Sequence, residues 1–242
     1  MYKVPERRHT AAPVQIFGRR LSDDALDVFC DRLVQSCPSK LEGGLAMQFL
    51  LVDPANVKPM ISGKKRVIQI LYDSTREHYV TVYYSPRRRE LLLYDSLVDK
   101  EDPKRSLGTE IVQQILTLFG HVHKGEIFVQ VPTDIDTQND SWSCGYRCLG
   151  FCVDLARRKD PRMSQYDLRQ LHSMLLEVLS TKIKVPWPVF SEKRAYRKRV
   201  RREDEKHDDD RDDYEEMFVV DRDARVHSKE DYDRYVRGQS LP

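Results

Sequence analysis

The chain of 242 residues lacks an apolar run long enough to cross a bilayer. Its longest apolar runs, such as residues 67–72, fall far short of the roughly 20 residues that a spanning helix needs. The positively charged start of the chain is not followed by an apolar stretch, so a secretory signal is not expected. These absences exclude a membrane-spanning protein. They favour a domain with a sizeable core, which 40% hydrophobic residues can fill.

The sequence also lacks the even set of cysteines that is typical of a disulfide framework. Five cysteines in a chain of this length indicate a reducing compartment. Cys144, Cys148 and Cys152 are spaced by four residues and fall on one face of a predicted helix. Zinc needs four ligands, and no His/Cys pair of suitable spacing accompanies this row. We therefore expect no metal, and we interpret Cys148 and Cys152 as core residues.

Charge is concentrated at one end of the chain, although the net charge is only +2. Residues 193–202 are mostly basic, and residues 203–210 are mainly acidic. Such sequence cannot bury enough apolar surface to offset its chain entropy, so we predict a mobile tail over residues 186–242. The basic block is interpreted either as a nuclear import signal or as a solvated linker. Nucleic-acid binding is not expected, because the acidic run would cancel much of the attraction for phosphate.

Hydrophobic periodicity predicts helices at both ends of the body and strands in its middle. Helical spacing indicates four helices, near residues 23–36, 109–119, 144–158 and 164–183. Apolar, strand-like runs indicate five strands, near residues 45–52, 66–72, 78–84, 90–94 and 126–131. The short polar links 73–77 and 85–89 are typical of antiparallel hairpins. This pattern predicts an α+β domain with a mostly antiparallel or mixed sheet flanked by helices.

Three side chains capable of chemistry lie at the ends of these predicted elements. His78 begins a strand and Asp95 follows the next one, so an antiparallel hairpin brings the carboxylate beside the imidazole. Asp95 would fix the ring tautomer, while the other ring nitrogen faces a thiol. Cys144 begins a helix, where backbone N–H groups and the helix dipole favour a thiolate. After attack on a carbonyl, the Gln138 amide and the Cys144 N–H are candidate donors to the oxyanion.

Each of these residues also has a structural explanation. A strand histidine commonly serves only as a hydrogen-bonding group, Asp95 is a turn former, and Gln138 is an ordinary loop amide. Their joint placement is compatible with one site. The pattern of residues by itself leaves both interpretations open.

The order His78, Asp95, Gln138 and Cys144-Gly145 resembles the ubiquitin-like-protein-specific cysteine proteases, which are related to the adenovirus protease. The family has a Tyr-Asp-Ser at the end of a strand, as in Tyr94-Asp95-Ser96, and a Gln six residues before a Cys-Gly. The resemblance implies a papain-like, adenain-like fold over residues 15–185, preceded by an extension of residues 1–14. It also implies a Cys-His-Asp mechanism without a cofactor.

The resemblance implies a ubiquitin-like protein (SUMO, the Nedd modifier or ubiquitin) as partner for a monomeric, intracellular enzyme. We expect a nuclear or cytoplasmic location, and delivery into a host cell stays open. Family members usually have Trp where this chain has Tyr79 and Arg20. We expect Tyr79, Trp142 and Gly145 to line the substrate channel. The alternatives are a same-clan acetyltransferase, against which Asp95 argues because those enzymes tend to use Glu, and a non-catalytic binding module.

Overall fold

The computed structural model describes residues 15–37, 41–52, 57, 60–123, 125–180, 197–199 and 217–237. The helices are α1 (Asp23–Ser36), α2 (Met47–Val52), α3 (Thr109–Phe119), α4 (Cys144–Ala156), α5 (Leu168–Ser180) and α6 (Lys229–Val236). The strands are β1 (Leu41–Gly43), β2 (Arg66–Asp73), β3 (His78–Ser85), β4 (Glu90–Tyr94), β5 (Ile127–Gln130), β6 (Ser164–Tyr166), β7 (Arg197–Arg199), β8 (Met217–Val220) and β9 (Val226–Ser228). Within these ranges no helix has the length and apolar character needed to span a membrane.

Seven of the strands form one mixed sheet in the order β1-β2-β3-β4-β5-β8-β9. β2, β3 and β4 make two antiparallel hairpins, while β1 and β5 run parallel to β2 and β4. The register sets Asp73 opposite His78 and Thr81 opposite Tyr94, so the start of β3 and the end of β4 lie at the same end of the sheet. The predicted α+β class with a mixed sheet is confirmed.

Helix α1 begins at the predicted residue and buries its apolar face. The Ser22 side chain accepts from the Ala25 N–H and caps the helix, and Asp23 and Asp24 lie where the helix dipole favours negative charge. An apolar stripe that includes Leu26 and Phe29 is buried, and the helix packs against α4 and α5. The interval predicted for this helix, residues 23–36, is confirmed.

Helix α4 is buried along its whole length and packs against β3 and α1. Its small residues permit this close approach. A Cβ on Gly150 would lie 2.6 Å from the Tyr166 ring, and Cys148 and Cys152 are buried among the core side chains as expected. Because both faces of α4 are enclosed, the position of its first residue, Cys144, is set by the core.

Two predicted elements are wrong. Residues 45–52 were expected to form a strand, but helix α2 begins at Met47, whose N–H donates to the buried Asp27 carboxylate at 3.1 Å. A short apolar run has no periodicity that distinguishes a strand from a buried helix. Here the contact between Met47 and Asp27 favours the helix. Residues 164–166, predicted as the start of a helix, form β6, and α5 begins only at Leu168.

Residues 217–237 differ from the mobile tail predicted over 186–242. β8 pairs with β5 and β9 pairs with β8, and the side chains of Phe218, Val219 and Val220 are buried. β7, inside the basic block, pairs with β6. Four consecutive apolar residues form a strand even where the surrounding composition is charged, because the edge of β5 gives them a partner. Pro186, the predicted boundary, and the acidic run 203–210 lie outside the described residues.

Candidate active site

His78 and Asp95 meet at one end of the sheet, as the hairpin argument predicts. His78 begins β3 and Asp95 follows β4, and His78 Nε2 lies 2.7 Å from Asp95 Oδ1. The two residues are only 1% and 0% exposed. Water therefore does not compete for this contact, and the carboxylate fixes the orientation of the ring.

The Cys144 thiol contacts the same imidazole from the other side. His78 uses Nε2 for Asp95, so its hydrogen bond with the thiol engages Nδ1. Burial raises the pKa of Cys144. The hydrogen bond to His78 and those from the backbone N–H groups of Tyr79 and Gly145 outweigh burial, so the pKa of the thiol is lowered. Burial lowers the pKa of His78, but its bonds to Asp95 and Cys144 outweigh burial and raise it. Both shifts favour a thiolate beside an imidazolium.

The second oxygen of Asp95 has a partner that the sequence did not reveal. Arg76 Nη1 donates to Asp95 Oδ2 at 2.8 Å, and the Leu97 N–H donates to Oδ1 at 2.8 Å. Burial raises the pKa of Asp95, but the contacts with His78 and Arg76 hold it well below its usual range. An arginine in a hairpin turn is ordinarily solvated, so the only signal for Arg76 in the sequence is its spacing of three residues from Asp73.

Gln138 is buried and tied to the residue that follows Asp95. Its backbone N–H donates to the Ser96 carbonyl at 2.8 Å, and the Ser96 hydroxyl donates to Gln138 Oε1 at 2.7 Å. Gln138 Nε2 donates to the Asp140 carbonyl at 2.7 Å. These bonds fix the orientation of the amide, which carries a second N–H donor. The predicted role of that donor at an oxyanion stays a prediction.

The turn that leads into α4 is held by the carboxylate of Asp140. Its Oδ1 accepts from the N–H groups of Trp142 and Ser143 at 2.9 and 2.7 Å, and its Oδ2 accepts from the Ser143 hydroxyl at 2.8 Å. Arg147 also donates to that hydroxyl at 3.0 Å. The Ser143 side chain is therefore engaged in the turn and does not cap α4. The first N–H groups of the helix are left for a ligand or for the thiolate.

Tyr79 and Gly145, expected to line a substrate channel, make contacts with the segment that begins α1. The Tyr79 hydroxyl donates to the Asp23 carboxylate, with a longer contact of 3.4 Å to the Leu21 carbonyl. Burial and this carboxylate raise the pKa of Tyr79. A Cβ on Gly145 would lie 3.2 Å from the Leu21 Cβ, so glycine permits the approach of α4. These contacts give both residues packing roles, and their contact with a substrate stays a prediction.

Trp142, the third expected channel residue, is half-buried and belongs to an aromatic group beside the start of α4. Its ring meets Phe17 and Tyr146 edge to face, with centroid distances of 5.4 and 5.6 Å. Tyr146 in turn contacts His172 of α5, its hydroxyl 3.0 Å from Nδ1. The aromatic group fixes the residues just before the thiol.

Arg20 links the two sides of the site. Its Nε donates to the Ser141 carbonyl at 2.8 Å, and its Nη1 lies 2.6 Å from Glu77 Oε2. Glu77 precedes His78, and Ser141 lies in the turn before Cys144. Because the Arg20 and Glu77 side chains are 41% and 67% exposed, the ion pair contributes at most about 1 kcal/mol.

No protein-family model and no curated protein matches the chain by sequence. Among solved structures it is similar to the SUMO protease Ulp1 with its catalytic cysteine oxidised to a sulfonic acid, with a TM-score of 0.50, 11% identity, and coverage of 67% of this chain and 77% of that chain. It is also similar to the Ulp1 protease domain in complex with Smt3, the yeast ortholog of SUMO, with a TM-score of 0.49, 11% identity and coverage of 66% and 75%. The first similarity shows that the chain has the Ulp1 protease fold, which confirms the fold expected from the family resemblance.

Proposed function

We propose that the chain is a cysteine peptidase that cleaves after the C-terminal glycine of a ubiquitin-like protein. The observation that carries the proposal is the contact of one buried imidazole, His78, with both Asp95 and Cys144. A nucleophile, its base and the group that orients the base are thereby joined in the order that thiol hydrolysis requires.

In the first step, the Cys144 thiolate attacks the carbonyl carbon of the terminal glycine, and the carbonyl electron pair moves to oxygen. The oxyanion would accept from the Cys144 backbone N–H, at the uncapped start of α4, and from the second N–H of Gln138. The Asp140 turn and the Ser96 hydroxyl hold these donors in place before the substrate binds. Donors fixed in advance need no reorganisation during the reaction.

In the second step, the carbon–nitrogen bond breaks and the His78 imidazolium gives its Nδ1 proton to the leaving amine. The glycine is now held as a thioester on Cys144. A water then attacks the thioester carbonyl while His78 takes up its proton, and the thiol is released as the C–S bond breaks. Asp95 keeps its charge throughout, because its pKa is held low by His78 and Arg76.

The choice of substrate is supported by the motif resemblance and by the fold shared with a SUMO protease. Tyr79 follows His78 in β3. Arg20 joins Glu77, before His78, to Ser141, before Cys144, so these side chains lie close to both segments of the site. A glycine tail carries no side chains and needs little room beside them. The five cysteines are all buried thiols, which fits the reducing compartment that we propose for the protein.

The proposal is tested with SUMO, the Nedd modifier and ubiquitin, each carrying an electrophilic C-terminus. We expect at least one probe to form an adduct that mass spectrometry locates at Cys144. Cys144→Ala should abolish both the adduct and the cleavage, and the buried-thiol control Cys37→Ala should retain them. If no probe reacts, or if Cys144→Ala still cleaves, the proposal is wrong. Acetyl transfer from acetyl-CoA to protein would then favour the acetyltransferase alternative.

A further inference from the structure

We infer that Arg76 is a positioning residue of the proposed catalytic site, which holds the second oxygen of Asp95 so that the first oxygen stays directed at His78. This role rests on the proposed function. It adds to the triad a fourth side chain that comes from the turn between β2 and β3.

The guanidinium of Arg76 bridges two carboxylates. Its Nε donates to Asp73 Oδ2 at 2.6 Å, and its Nη1 donates to Asp95 Oδ2 at 2.8 Å. Asp73 Oδ1 also accepts from the backbone N–H groups of Thr75 and Arg76, at 3.1 and 3.2 Å. One carboxylate therefore fixes both the turn and the plane of the guanidinium, and the rigid fork of nitrogens presents Nη1 to Asp95.

The charges around Asp95 require a cation in this position. Asp73 and Asp95 are 4% and 0% exposed, and two buried carboxylates would repel each other without a shared cation. Four titratable groups face the Asp95–His78 pair, and they come from three parts of the fold: Asp73 on β2, Arg76 in the turn, and Cys144 and Cys148 on α4. Arg76 supplies the single fixed positive charge among them.

The two oxygens of Asp95 have different hydrogen-bond partners. Oδ1 contacts the imidazole and accepts from the Leu97 N–H, and Oδ2 accepts from Arg76. Without Arg76, Oδ2 would be a buried acceptor with no donor, and the carboxylate would be free to rotate away from the ring. Loss of the Arg76 charge, which opposes protonation of the imidazole, would raise the pKa of His78 as long as the Asp95 charge stays close to the ring.

The turn has other supports, so the contact with Asp95 is not needed to close it. The Ser74 backbone N–H and hydroxyl donate to the Glu110 carboxylate of α3 at 2.6 and 2.5 Å. Glu77, at the other end of the turn, pairs with Arg20. A variant that loses only the guanidinium of Arg76 should therefore retain the turn.

The test compares Arg76→Met with Arg105→Met, which removes an exposed arginine paired with Asp99 at 2.9 Å. Turnover of the probe-identified ubiquitin-like substrate is measured across pH, and the His78 ring is titrated by NMR. We expect Arg76→Met to lower kcat on the order of tenfold. We also expect it to raise the midpoint of the His78 titration by roughly one pH unit. Arg105→Met should change neither.

Two further variants separate positioning from folding. Arg76→Lys keeps the positive charge but lacks the planar guanidinium that binds both carboxylates. The midpoint of the His78 titration should therefore stay near the wild-type value, while kcat stays reduced. If Arg76→Met does not fold, Asp73→Asn combined with Arg76→Met removes both partners of the ion pair and undergoes the same measurements. An unchanged His78 titration with an equal loss of rate at every pH overturns the role of Arg76. A wild-type chain that neither cleaves nor reacts with any probe overturns the proposed function instead.

Discussion

Replacing Asp95 with Asn tests the proposed triad at its most buried member. The substitution keeps the shape of the side chain, removes its charge and turns one acceptor oxygen into a donor amide. In the wild-type chain Oδ1 accepts from His78 and Oδ2 accepts from Arg76. An amide facing Arg76 sets two donors against each other. An amide facing His78 donates to Nε2 and selects the ring tautomer that has its proton on Nδ1. That proton points at the thiol, so the imidazole cannot act as a base toward it.

The size of the effect follows from the contact between the carboxylate and the ring. Two unit charges about 4 Å apart interact by about 4 kcal/mol at an effective dielectric constant of 20. Allowing for partial screening, we take roughly 3 kcal/mol as the stabilisation of the imidazolium by Asp95. Loss of the carboxylate charge lowers the pKa of His78, and roughly 3 kcal/mol corresponds to about a hundredfold change in an equilibrium constant. The population of the thiolate–imidazolium pair should then fall by about a hundredfold.

The assay is the rate at which iodoacetamide inactivates Cys144. At about pH 6 the Asp95→Asn variant should react on the order of a hundredfold more slowly than the wild type. At about pH 9.5 the difference should shrink, because the thiol then ionises without help. Asp99→Asn, at a carboxylate that pairs with Arg105 outside the site, is the matched control. An Asp95→Asn variant that folds and reacts at the wild-type rate at pH 6 would show that Asp95 does not stabilise the imidazolium.

Three further predictions concern the stability of the fold. Burial lowers the pKa of His123, so the unfolded state binds the His123 proton more readily than the folded state does. The free energy of unfolding should therefore fall as the pH drops below about 6.5. His123→Phe should weaken this pH dependence, as measured by urea unfolding at about pH 7.5 and 5.5. Gly150→Ala places a Cβ 2.6 Å from the Tyr166 ring and should lower the free energy of unfolding by about 1–3 kcal/mol, whereas Gly125→Ala, in open space, should change it little. A chain ending at residue 216 lacks the buried strand β8, and each buried apolar side chain contributes roughly 1.5–3 kcal/mol to the stability of the fold. This chain should therefore melt at a much lower temperature than a chain ending at residue 237. Equal melting temperatures would contradict the prediction.

The helices and strands that the sequence located correctly are those with local signals at their ends. Ser22 caps α1, Gly120 follows the last residue of α3, and polar turns separate β2, β3 and β4. The pairing of His78 with Asp95 could be predicted because hairpin geometry alone brings a strand start beside the end of the next strand. Cys144 could be placed because a helix start is visible in the sequence.

The parts that could not be predicted depend on contacts between distant segments. Helix α2 begins where Asp27 accepts from Met47, and β8 is a strand because β5 offers an edge. The position of Arg76 depends on how Asp73 folds the turn, and the partner of the Tyr79 hydroxyl lies on α1. A periodic pattern records which faces are apolar, but it does not record which polar groups meet across the fold.

The neighbour that β8 provides for β5 arrives late in the synthesis of the chain. β5 precedes α4 and α5 in sequence, whereas β8 follows both. The chain is synthesised from its N-terminus, so the edge of β5 that pairs with β8 stays without that partner until residue 220 has left the ribosome. An open strand edge is a template for pairing with other chains. Nascent chains can therefore associate edge to edge until β8 is made and pairs with β5, and chains terminated before β8 keep this open edge.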